Sequence, residues 1–470
     1  MYYIFLFLTL LTYLLCFHGI DVLPVNDSFQ YISMTMYIIM FIWFFIRNRK
    51  KSIFCPELFI LFTGFLIIFF DILILNNVGF ISSFFNQFSS VIQKKSTCLS
   101  LIGFCTFILG EEFGKKFLSK KKIRRKLDIS IPAFFATMMH YISLTAVILV
   151  FLTGQHIGFM KYTLEEEGES TNMINIMISI VIMVSSVLEF IRLNKLNQSP
   201  QSFSNFILKI NKVYVISVVI WSLFLLLTGN RGDMMLIAMP PIILFHHFIH
   251  KFSNKTVMLG VVIGSFIMMF VGLTRQGEAD VSNTVSDFGV YALFRDYGPA
   301  YVNQQGLIKY TDSYGTYGYS SGAKAIISGI PFLGSILFSN TQSTSSEGNT
   351  NKLSTEQWRL SDTGGGLGTS LLGDLYYAGG IFFVLFYMFF LGLLLSYAYE
   401  RLFNDKGLNL IFIFIYCWLF SDSLYILRAP YYHLFRQIGF SLIIIFVLYV
   451  LSINDSTKYS HLKSNHTISK

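Results

Sequence analysis

Long uninterrupted apolar blocks divide this sequence, near residues 2-20, 31-47, 57-75, 97-113, 131-152, 172-191, 211-228, 234-250, 256-273, 377-399, 408-427 and 434-452. Each holds ~16 to 22 residues, enough for a helix to cross ~30 Å of hydrocarbon. A water-soluble fold cannot hide so much apolar surface: 54% of the residues are hydrophobic and 13% charged, well to the apolar side of ordinary globular domains. A membrane β-barrel would instead show alternating segments of ~10 residues, and no sustained period of two runs through the chain. The expected fold is therefore an all-α integral membrane protein with about 12 transmembrane helices. The fourth block is the least sharply bounded, because residues 80 to 96 are also fairly apolar and could form a helix lying on the membrane surface.

The formal net charge is +9, yet the cations sit in short clusters between apolar blocks and do not spread over one surface, so topology explains them better than nucleic acid does. With both termini inside, roughly two thirds of the 35 cations fall on the inner side, including Arg47 to Lys51 and the run KFLSKKKIRRK. The amino terminus MYYIFLFLTLLTYLLCF has no basic region and no small-residue cleavage site, which predicts a retained first helix. Cys16, Cys55, Cys98, Cys105 and Cys417 lie in or beside apolar blocks without CxxC spacing and predict apolar packing, with neither zinc nor disulfides.

This reading divides the chain into helices 1 to 9 over 1-273, an extracytoplasmic loop or cap with short helices over 274-376, helices 10 to 12 over 377-452, and a cytoplasmic tail over 453-470. The long loop between spans 9 and 10 is too large for a simple connection. The outer side is also rich in arginine, whose planar fork matches phosphate oxygens.

The sharpest local feature is TGNRGDMM (228 to 235), where two glycines permit a turn at the outer end of the seventh span and hold Arg231 and Asp233 at the membrane boundary. The plainer alternative is a snorkelling arginine paired with Asp233. Arg275 in VGLTRQGE and Arg428 in LRAPYY close two further outward-running spans, and Arg295 in ALFRDYG adds a fourth from the loop. Together such residues could clamp a lipid pyrophosphate and stabilise a leaving group's charge; singly, each could be merely interfacial. The loop's tyrosines, among them Tyr310, Tyr314, Tyr317 and Tyr319 in a glycine-rich run, suit stacking on sugar rings, or an aromatic belt at the interface. Candidates for taking a proton from an acceptor hydroxyl are Glu278, Asp296, Asp374 and His433. Asp374 could equally be one half of a structural ion pair. His246, His247 and His250 have spacing compatible with a metal, but no carboxylate accompanies them, and solvation at the inner interface is the expected reading. His140 and Asp71 lie within spans without a named role. No phosphate-cradling loop suited to ATP occurs, nor a DxD pair for a metal-bound nucleotide sugar. No metal or other cofactor is expected.

Several segments of the second half resemble the Wzy O-antigen polysaccharide polymerase family, within the lipid-dependent transferases of the GT-C type. TGNRGDMMLIAMPPIILF is similar to the family's turn and following span, GLTRQ to its next helix ending in arginine, and YTDSYGTYGYSSGAKAIISGIPFLG to its tyrosine- and glycine-rich loop. GGGLGTSLLGDLYYAGG resembles the segment that re-enters the membrane, with Asp374 where the family more often has Glu. The resemblance implies a GT-C-like fold and assigns Arg231 and Arg275 to the phosphate-bearing substrates, with Arg428 in support. It also implies action on undecaprenyl-pyrophosphate-linked oligosaccharides at the outer face of a bacterial cytoplasmic membrane, building O-antigen, capsule or exopolysaccharide. A chain-length regulator and a flippase are compatible further partners beside membrane lipid; nucleic acid is not. An O-antigen ligase shares the same chemistry and span order. A flippase or transporter would require similar halves and a charged cavity at midplane, whereas these halves are unequal.

Overall fold

The computed structural model describes residues 2–20, 22–23, 28–48, 54–74, 88–118, 133–152, 169–196, 208–227, 231–274, 297–318, 327, 369–404, 410–435, 437–447 and 450. Regular structure among them is entirely helical. The helices are α1 (Tyr2–Phe17), α2 (Ser28–Arg47), α3 (Pro56–Ile68), α4 (Phe70–Leu73), α5 (Ser90–Leu118), α6 (Ala133–Leu152) and α7 (Glu169–Leu196). They continue with α8 (Lys212–Leu227), α9 (Arg231–Leu244), α10 (Asn254–Thr274), α11 (Gly298–Tyr314), α12 (Leu371–Asn404), α13 (Leu410–Asp422) and α14 (His433–Val447).

Four of these helices, α2, α5, α6 and α12, are long and apolar enough to cross a membrane, and shorter apolar helices of 10–17 residues lie in α1, α3, α8, α10, α13 and α14. Their outward faces are what a hydrocarbon solvent demands: Phe7, Ile42, Leu152, Met258, Phe382 and Phe446 all point away from the protein interior, which in water would make a large adhesive patch.

Several boundaries depart from the hydropathy blocks. The third block breaks at Phe69, which leaves the helical region at φ −104 and ψ 23 and separates α3 from α4. The fourth extends back to Ser90 as part of one 29-residue helix, so the stretch 90 to 96 belongs to α5 and is not a separate surface helix. The tenth starts six residues early at Leu371 but is broken at Gly379 and Gly380. The eighth carries Pro240 and Pro241 in α9 and runs into a π-helical turn, Phe245–Ile249.

The central crossing is α5 against α12. It is close because glycines face backbone: a Cβ on Gly110 would collide with the carbonyl oxygen of Phe389, and one on Gly392 with that of Phe107. Gly114, one turn along from Gly110, faces Ser396 and Leu393. In lipid, where apolar side chains gain little by meeting one another, such close small-residue contacts drive helix association. Around this pair, α1, α2 and α11 pack on α5, while α6 to α9 form a second group joined to it through α13.

The segment expected to cap the outer surface contributes α11, which starts with Pro299 in its first turn and ends at Gly315 with φ 89, the left-handed stop that glycine permits. This helix is not a surface helix. It is buried against α5 and α12, and the Gln304 amide donates to Ser96 Oγ (3.0 Å) and Ser100 Oγ (2.7 Å) while its carbonyl accepts from Ser370 Oγ (3.0 Å). A polar residue buried in an apolar bundle must find partners of this kind.

Candidate functional site

The break in α12 organises one end of the molecule. Gly380 has φ 69 and Gly379 combines φ −157 with ψ 21; the first is left-handed and suits only a residue without a Cβ. The two turns before the break carry Asp374 and Tyr377; the part after it carries Tyr387. Both sides hold the same residue, Tyr431. The Asp374 carboxylate Oδ2 accepts the Tyr431 backbone N–H at 3.0 Å, and the Tyr387 hydroxyl donates to the Tyr431 carbonyl at 2.9 Å. Asp374 is buried, so that backbone donor is a strong partner for a charge withdrawn from water. Burial, followed by the Asp374 charge, pushes the Tyr431 phenol well above its ordinary range, so it stays a neutral donor.

The chain leaving α11 returns to the same place. Gly315 and Gly318 have φ 89 and 99, and between them the Tyr317 N–H donates to the Tyr377 carbonyl at 2.8 Å while its ring stacks on Tyr377, with centroids 5.6 Å apart. Tyr310 packs on Tyr377 at 5.7 Å and on Tyr314 at 4.7 Å, and the Tyr314 ring is exposed. Beside this row Asp312 accepts from Lys95 Nζ (2.6 Å) and the Tyr376 hydroxyl (3.0 Å). The result is a run of flat rings edged by a charged pair.

The third component links α13 to α14. After α13 ends at Asp422, a 3-10 turn over Ile426–Arg428 reaches across to the start of α9. The Tyr425 ring lies 3.6 Å from where a Gly232 Cβ would stand, and the Arg428 guanidinium sits 5.2 Å over that ring. Asp233, in the first turn of α9, is buried, where the helix dipole favours a carboxylate. Asp422 is also buried, near enough to Asp233 for the two charges to interact, and its Oδ2 has no hydrogen-bond partner among the described residues. His433 is half-exposed; its Nε2 lies 2.7 Å from the amide nitrogen of buried Gln437. That contact makes Nε2 an acceptor and puts the proton of the neutral ring on Nδ1.

Of the residues singled out from sequence, Asp374, Tyr317, Arg428, Asp233 and His433 therefore sit on four segments, α12, the chain leaving α11, the α13–α14 link and the start of α9, that meet at the same end of the bundle. Arg231 begins α9 there, though its side chain is outside the described residues. Arg275, Arg295, Asp296 and Tyr319 lie outside the described residues altogether. Sequence reasoning missed Asp422, although a carboxylate inside the apolar block LIFIFIYCWLFSD is the signal that marks an intramembrane functional residue. It also missed Tyr431, whose part is played by its backbone and carries no side-chain signature.

Two other expectations are revised or filled in. His246 is buried, not solvated at an interface; its Nδ1 accepts the Phe252 N–H at 2.9 Å. His140 is locked between α6 and α7, with Nδ1 2.5 Å from Ser185 Oγ and Nε2 2.9 Å from Glu189 Oε2.

A family described as O-antigen polysaccharide polymerase Wzy matches residues 1–460. No curated protein and no solved structure matches the chain.

Proposed function

Because the chain belongs to the Wzy family of O-antigen polysaccharide polymerases, we propose that it joins oligosaccharide repeat units carried on undecaprenyl pyrophosphate, at the outer face of the cytoplasmic membrane. In this reaction an acceptor sugar hydroxyl attacks the anomeric carbon of the donor glycan. The carbon–oxygen bond to the pyrophosphate breaks, the proton passes to a base, and the lipid pyrophosphate leaves with the electron pair. The donor is already activated, so the protein has to orient two lipid-anchored substrates, accept one proton and neutralise the departing charge.

The observation that carries this reading is the meeting of the α9 start, the α12 break and the turn before α14. It supports a division of labour. Arg428 and Arg231, with Arg275 and Arg295 from the long outer segment, serve the pyrophosphate, where guanidinium forks pair with phosphate oxygens. The tyrosine row through Tyr317 toward Tyr319 serves sugar rings. Of the proposed proton acceptors, Asp296 stays a candidate on sequence grounds. Asp374 is engaged by the Tyr431 N–H, and partly exposed His433 serves as the base only where its Nε2 exchanges the Gln437 amide for the acceptor hydroxyl.

Reconstitution with lipid-linked oligosaccharide tests the proposal. Covalent elongation into a ladder of repeat lengths is expected. Translocation of unaltered lipid-linked substrate would point to a transporter, and transfer of finished glycan to a different acceptor without elongation would point to a ligase.

A further inference from the structure

At the opposite end of α5 from Lys95 lies a cavity of about 580 Å³ lined by Tyr3, Arg47, Asn48, Glu112, Lys115 and Lys116. The proposed reaction uses none of these residues. Three helix ends build the cavity: the start of α1, the end of α2 and the end of α5.

Its carboxylates are already engaged. Glu112 is 4% exposed and accepts from Arg47 Nε at 2.8 Å, from the Tyr3 hydroxyl at 3.0 Å and from Lys115 Nζ at 3.3 Å. Lys115 also pairs with Glu111 and donates to Asn48 Oδ1 at 2.5 Å.

Its donors are in surplus. Arg47 spends Nε on Glu112 and one terminal nitrogen on the Tyr3 hydroxyl at 2.8 Å, which leaves the other terminal nitrogen facing outward on a side chain 42% exposed. Lys116 is exposed and has no ion pair among the described residues. The Asn48 amide nitrogen and the Tyr2 hydroxyl beneath Arg47 are buried with no hydrogen-bond partner among the described residues. Buried donors without acceptors cost free energy unless something supplies oxygen. Three cations against two carboxylates suit an anion with several oxygens.

The surroundings decide which anion. From the rim, α1 exposes Ile4, Phe7 and Leu8, and α2 exposes Ile42, Phe45 and Ile46, so two apolar tracks lead away from a polar cavity roomy enough for a lipid headgroup. We propose that the cavity seats the phosphate headgroup of an anionic phospholipid whose acyl chains lie along the outward faces of α1 and α2. Basic pockets between helix ends at a membrane boundary bind such lipids through their charge and their position in the interface.

Trp43 reports on this site, since it packs on Tyr2 and Phe5 at 5.2 and 5.5 Å. The full chain is placed in phosphatidylcholine nanodiscs with a minor share of lipid brominated on its acyl chains, and the Trp43 emission is taken as the difference from Trp43→Phe. Brominated phosphatidylglycerol is expected to quench more than brominated phosphatidylcholine at equal share. That preference should fall about fivefold in Lys116→Gln and persist in Lys116→Arg. Lys116 is exposed and makes no ion pair among the described residues, so Lys116→Gln is expected to keep the fold; Arg47→Gln should show the same direction. Equal quenching by the two lipids, or a preference unchanged in both glutamine variants, overturns the proposal. So does loss of the preference when inorganic phosphate is added at the lipid's phosphate concentration, because a free anion would then fill the cavity.

Discussion

Single residues at the α12 break separate structural from chemical work. The Asp374 carboxylate holds the Tyr431 N–H at 3.0 Å from a buried position. Asp374→Ala strands that donor and is expected to cost about 1–3 kcal/mol, read as a lower unfolding temperature of the purified protein. Asp374→Asn keeps an acceptor oxygen and should restore most of it. Glycan elongation that survives in Asp374→Asn would assign the residue to the clamp and leave proton transfer to His433 or Asp296. Arg428 predicts the reverse pattern. Its guanidinium lies over Tyr425 and makes no carboxylate pair among the described residues, so Arg428→Ala should leave thermal stability nearly unchanged while slowing elongation about 100-fold, as loss of one charge-stabilising donor does. Long surface glycan persisting in that variant would remove Arg428 from the substrate site.

At the scale of elements, the α5 and α12 crossing is set by backbone contact at Gly110 and Gly392. Neither carbonyl facing them can move without shifting a helix. Gly110→Leu or Gly392→Leu should therefore cost about 3 kcal/mol or more, measured as lost folded protein after detergent extraction. Gly260 in α10 has open space around it and is the control: Gly260→Ala should be tolerated or stabilising. The break itself is testable by Gly380→Ala, where space exists, since the nearest atom is Thr316 Cγ2 at 3.7 Å, but φ is 69. Conformational strain of about 1–2 kcal/mol is expected. The effect should appear in elongation before it appears in stability, because the strain falls on the turn that brings Asp374 to Tyr431. Normal product length in a fully folded Gly380→Ala would dissociate the break from function.

For the whole molecule, the two ends of α5 divide the chemistry. One end carries Lys95, Asp312 and Tyr376 beside the tyrosine row; the other carries Arg47, Glu112 and Lys115. That separation along one long helix fits the proposed reaction at one membrane face and the proposed lipid seat at the other.

Hydropathy by itself determined the all-helical membrane class, because ~20 consecutive apolar residues have few other stable fates. Motifs such as RGD at 231 to 233 and LRAPYY at 427 to 432 were visible as charges at the ends of apolar blocks, since hydrocarbon makes every such charge conspicuous. Which of them meet was not visible. The return of Leu371–Ala378 beneath Tyr431 depends on a left-handed glycine in the middle of an apolar run, and the burial of α11 depends on Gln304 finding serines about two hundred positions away. Apolar content is a property of each segment alone. Which segments lie against one another is decided by close glycine contacts and the pairing of buried polar atoms, and these exist only once the helices have packed.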